Sequence, residues 1–100
     1  MQTTNSSWPF PIFSGSGPQV QSVPVNVGSP VTQAVAILTG FTVEFSNGND
    51  HHLGSLQVQV AVTNVSGTTV TVQVTYGLRD WSDNWDDNYD GTVFFTVVSQ

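Results

Sequence analysis

An all-β fold, a small antiparallel sandwich of about six strands, is what this chain of 100 residues predicts, and three observations predict it. From residue 34 onward apolar side chains recur at every second position, the period of a half-buried strand and not of a helix. All five prolines, Pro9, Pro11, Pro18, Pro24 and Pro30, lie within residues 1–33 and exclude regular helix there. Hydrophobic residues make up 38% of the chain and charged residues 8%, so one core can form under a surface of mainly Ser, Thr, Asn and Gln.

Taken in order, residues 1–33 read as an extended N-terminal arm with an edge strand near its end. Within it Trp8, Phe10, Ile12 and Phe13 are too apolar to stand in water, so they are expected to pack on the body or on a neighbouring chain. Val20, Val23, Val25 and Val27 mark the edge strand, the only kind of strand position that tolerates Pro24.

Residues 34–100 form the sandwich domain. In its first strand Val35, Ile37, Thr39, Phe41, Val43 and Phe45 alternate with Ala36, Leu38, Gly40, Thr42 and Glu44, which predicts one buried face. A second strand runs through Leu56, Val58, Val60 and Val62. A third carries Val70, Val72, Val74, Tyr76 and Leu78, and the last places Val93, Phe95 and Val97 on one face. Ser66-Gly67 joins the second and third as a tight hairpin. These four strands are expected to form a meander. Its up-and-down course brings residues 46–54 and 80–91 to the same end.

Those two connections hold both histidines, two of the three tryptophans and six of the seven carboxylates, so a site is expected there. Asp86, Asn88, Asp90 and Gly91 match the first half of a calcium loop, in which alternate oxygens wrap a hard cation. The closing Glu is absent, Val97 standing at position twelve, so a complete EF-hand is excluded and calcium remains a candidate only for a partial loop. His51 and His52 are adjacent and point to opposite faces of extended chain, so they do not share one ion. Arg79 is the sole Lys or Arg and is expected to pair with a carboxylate or to touch a ligand. Trp81, Trp85 and Tyr89 recur at every fourth residue among Asp and Asn. Rings beside such groups suit a sugar, whose apolar face stacks while its hydroxyls hydrogen-bond. The competing expectation is that these rings cover the end of the sandwich.

The formal charge of -6 argues against nucleic acid and against an anionic membrane surface. No stretch reaches the roughly 20 apolar residues of a spanning helix, and the first residues lack the charged start and apolar run of a signal peptide. With no cysteine there is neither disulfide nor thiolate metal site. No nucleophile elbow is present and the chain is short for a catalytic cleft, so an enzyme is not expected.

The stretches VAILTGFTVEF, LQVQVAVTNVSGTTVTVQVTYG and TVFFTVV, spanning about residues 34–98, resemble the H-type lectin domain of the snail-agglutinin and discoidin kind. That resemblance implies a six-stranded sandwich that forms homotrimers and binds galactose-type sugars at subunit boundaries. It puts Trp81, Trp85 and Tyr89 near a sugar, with Asp80 or Arg79 as hydrogen-bonding partners, and the two-connection reading adds His51 and His52 to the candidate ligand-binding residues. The chain departs from the family in carrying Leu78-Arg79 where a Trp-His pair is expected, which bears on sugar specificity. The resulting expectation is a non-catalytic, oligomeric carbohydrate-binding module. The alternative is a structural protein of a virus or phage particle that uses residues 1–33 to reach its neighbours.

Overall fold

A computed structural model describes residues 1–13, 17–46, 52–82, 85 and 88–100. The strands are β1 (Gln2–Phe13), β2 (Gln19–Asn26), β3 (Ala34–Phe45), β4 (Leu53–Ser66), β5 (Thr69–Asp80) and β6 (Tyr89–Ser99). They form two three-stranded antiparallel sheets, ordered β1-β6-β3 and β2-β5-β4. The all-β sandwich is therefore what the alternating pattern specified. Among the described residues no helix is long and apolar enough to cross a membrane, since the described elements are strands.

The core lies between the two central strands. From β5 come Val70, Val72, Val74 and Tyr76, and from β6 Val93, Phe95 and Val97, all at 0–1% exposure. A central strand has neighbours on both sides and a sheet across its inner face, so its inward residues lose the most water. Phe10 of β1 stacks on Tyr76 with ring centroids 5.1 Å apart, and Val23, Val25 and Val27 seal the β2 side.

Three expectations are corrected. Residues 1–33 do not stand off as an arm: β1 pairs with β6 from Gln2 to Phe13, and β2 pairs with β5 from Gln19 to Asn26. Trp8 and Phe10 pack on the core of their own chain, while the side chains of Ile12 and Phe13 lie outside the described residues. Prolines fit because β1 and β2 are both edges, where a missing N–H on the free side costs no ladder bond.

The meander also gives way. Only β4 and β5 are a hairpin, turning at Gly67 with φ +59°, whereas β3 pairs with β6 and lies in the opposite sheet from β4. Apolar burial prefers two sheets face to face over one open sheet, whose second face would remain wet. Finally, β3 does not keep one face throughout. An irregularity between Leu38 and Gly40 inserts Thr39, so Ala34 and Ala36 turn inward before it and Val43 and Phe45 after it. Val35 and Ile37 consequently face out at 57% and 50% exposure.

The up-and-down course survives these corrections. The β1–β2, β3–β4 and β5–β6 connections lie at one end of a body 46 Å long. At the other end Val27 and Val31 donate to Thr68 and Gly67 carbonyls at 2.9 Å, and Thr32 and Gln33 donate to the Gln100 carbonyl.

Neighbouring phenylalanines test the assignment of faces. Phe95→Ala should cost about 3–5 kcal/mol in denaturant unfolding, through lost burial and a cavity. Phe94→Ala, on a side chain 41% exposed, should cost under about 1 kcal/mol.

Candidate functional site

At the three-connection end, hydrogen bonds stitch the strand termini together. The Ser46 N–H, just past β3, donates to the Asn88 carbonyl at 2.8 Å, and the Ser46 hydroxyl donates to the Asp90 carboxylate. Below them the Tyr76 hydroxyl donates to the Asp90 backbone carbonyl, and the Tyr89 hydroxyl donates to the Gly17 carbonyl at 3.1 Å. Each bond crosses between elements far apart in sequence. Together they tie all three connections to the rigid ends of β5 and β6.

Two glycines make the close approaches possible. A Cβ on Gly91 would strike the Thr42 carbonyl and the Tyr76 hydroxyl, and one on Gly54 would strike the Asp80 carbonyl and the Trp81 backbone. Gly54 thus lets the irregular start of β4 run against the Asp80–Trp81 backbone.

The expected ligand residues divide into supports and presented groups. Tyr89 is 1% exposed and packs on Tyr76 and Trp85, so it is a core residue, correcting its expected place beside a ligand. Burial drives its phenol pKa up. The same holds more strongly for Tyr76, where burial acts first and the charge of Asp90 second. Asp80, at 8% exposure, accepts from the Ser82 N–H at 3.0 Å and from the Ser82 hydroxyl. That Asx turn assigns it a positioning role. Asn88 and Asp90, expected as calcium ligands, accept from Ser46 through a backbone carbonyl and a side-chain oxygen respectively.

Trp85 is half-buried on the end of the core, tilted against Tyr89 with centroids 6.2 Å apart. The Arg79 guanidinium stands 5.9 Å from its ring centroid, within cation–π range, and donates to the Asp80 carbonyl at 3.3 Å. Trp81 is different. It is 72% exposed, its backbone N–H donates to the His52 backbone carbonyl at 3.1 Å, and its ring meets the His52 ring edge-on at 5.4 Å.

His51 and Asp86 lie outside the described residues, as do Asp50, Asp83 and Asp87. Among the described residues there is no group of three His, Cys, Asp or Glu side chains placed to hold a metal. Sequence reasoning missed Ser46, Gly54 and Tyr76 as organisers of this end. Their partners lie in other strands, so no local signal marks them. Ser82 was legible, standing two residues after an Asp as an Asx turn requires.

Comparison with protein-family models, with curated proteins and with solved structures gives no match to this chain.

Tyr76 and Tyr89 are the only two tyrosines, which makes their titration directly readable. Their folded pKa values lie above the ordinary value of about 10, so above that pH the unfolded chain sheds protons that the folded chain retains. Stability should be unaffected by these groups below about pH 10 and fall above it, by up to about 1.4 kcal/mol per pH unit per tyrosine. Tyrosinate absorbance should therefore rise together with unfolding. A rise in the folded protein at the ordinary pKa would contradict the buried placement.

Proposed function

We propose that the chain is a non-catalytic carbohydrate-binding module whose contact surface is the Trp81–His52 platform. The observation that carries this reading is a large indole left 72% in water while its backbone is tied to that of His52. Burying such a ring is worth a few kcal/mol, so a sequence that leaves it exposed on an anchored turn leaves that energy available for an incoming apolar surface. A pyranose supplies one: C–H groups on one face stack on an indole, while its hydroxyls meet polar side chains around the rim. Here that rim includes His52 and Ser82, both exposed. The preformed backbone lowers the ordering cost of binding.

Support for this reading over a particle-assembly role comes from residues 1–33. The assembly alternative used them as an arm for a neighbour, and they are instead edge strands of their own two sheets. Calcium, if used, would draw on the acidic β5–β6 connection.

A glycan-array screen of the folded protein, run with calcium and again with chelator, tests the proposal. Selective binding is expected, weakened at least about tenfold by Trp81→Ala, a loss of ~1.4 kcal/mol. The same substitution should change unfolding stability by no more than about 0.5 kcal/mol, because the ring is mostly in water. Loss of binding with chelator would add calcium to the site. A blank array in both buffers, from protein shown to be folded, would overturn the carbohydrate reading.

A further inference from the structure

The four sheet edges are protected very unequally. β1 carries Pro9 and Pro11 and β2 carries Pro24, residues that blunt an edge by removing donors. β3 and β4, on the other side of the sandwich, contain no proline and no lysine over 12 and 14 residues, and their one charged side chain is Glu44. Inward apolar burial is incomplete there too. Leu38 and Phe41 are ladder partners of the buried Phe95 and Val93 yet remain 37% and 41% exposed, and Val35 and Ile37 project outward from the same strand. A groove of about 260 Å³, lined by the apolar Met1, Ala34, Val35 and Val98 and by three polar residues, Gln33, Ser99 and Gln100, adjoins this segment.

Charge is segregated along the other axis. The described charged side chains Glu44, Arg79, Asp80 and Asp90 all lie at the three-connection end. The remaining four, Asp50, Asp83, Asp86 and Asp87, belong in sequence to connections anchored at that end. The Ala34–Leu38 half of β3 therefore offers apolar surface with no charged side chain nearby on its own strand.

From this we infer that the Ala34–Leu38 edge of β3 is the interface between two copies of this chain, paired antiparallel about Ala36. The segment is self-complementary in that register. Val35 of each copy comes beside the partner's Ile37 on the outer face, and Ala34 comes beside the partner's Leu38 on the inner face, a small residue against a large one. A two-fold axis normal to the sheet is the closed symmetry that makes this contact. Charge selects the same arrangement. At about 3.3 Å per residue Glu44, the first acid of that end on β3, lies about 26 Å from Ala36, so the two acidic ends begin about 50 Å apart, several screening lengths. Parallel packing, in a trimer or otherwise, would gather ends of charge -6 chains together. The interface does not involve the Trp81–His52 platform. It would carry the two platforms to opposite ends of the pair, facing apart.

The test is the mass in solution, by light scattering and sedimentation, of the wild-type chain and two lysine variants. Wild type is expected at twice 10.7 kDa. Ile37→Lys, at a half-exposed outward position, should halve that mass with an unchanged circular dichroism spectrum. Val20→Lys, 55% exposed on β2, should leave it doubled. Because the chain has no cysteine, Glu44→Cys gives a single labelling point, and spin labels there should lie about 50 Å apart in the pair. A monomeric or trimeric wild type would overturn the inference. So would a dimer that survives Ile37→Lys, or labels that lie close together.

Discussion

Val70, Val72, Val74 and Tyr76 of β5 lie across the core from Val93, Phe95 and Val97 of β6, and water reaches almost none of them. Every other strand is held as a neighbour of one of these two: β2 and β4 flank β5, and β1 and β3 flank β6. The apolar area withdrawn between the central pair is the main force on the fold. With no disulfide in the chain, sheet pairing and this burial carry the structure. The edge strands bury less. The inner face of β2 is sealed by Val23 and Val25, with Val27 just past its end, while that of β3 leaves Leu38 and Phe41 partly wet.

The same two strands make the pedestal of the acidic end. Tyr76, near the end of β5, reaches the backbone of Asp90 in β6, and Tyr89, at the start of β6, reaches Gly17 in the β1–β2 connection. Buried phenols need hydrogen-bond partners, and carbonyls at strand ends need donors, so each bond resolves two requirements at once. With these bonds and the Ser46 contacts in place, the described polar groups of Tyr76, Tyr89, Ser46 and Asp90 serve the architecture. Among the described residues of this end, Trp81 and His52 are the rings offered to solvent.

Surface chemistry varies along the long axis of the molecule. Charge and exposed indole collect at one end, and neutral, apolar strand edge collects toward the other. The proposed ligand platform and the proposed self-association edge therefore lie on separate surfaces of one small domain. The longest dimension, 46 Å, exceeds the screening length at physiological salt severalfold, so the acidic end has little electrostatic effect on the neutral one.

Period-two alternation over β4, β5 and β6 was enough by itself to determine an all-β chain, the buried faces of the two central strands and the Ser66-Gly67 hairpin. These are local properties, because a strand's faces and a tight turn are set by consecutive residues. The up-and-down course likewise brought His52 near Trp81. What only the tertiary structure decided was partnership. Which strand lies beside β6, whether residues 1–33 are arm or sheet, and whether an aromatic among acids is core or surface depend on contacts between segments far apart in the chain. Trp81 and Tyr89 share a spacing and a neighbourhood of Asp and Asn, yet one is 72% exposed and the other 1%. The difference is that Tyr89 opens β6 under Tyr76 and Trp85, whereas Trp81 lies just beyond the end of β5, where none of the described strands covers it.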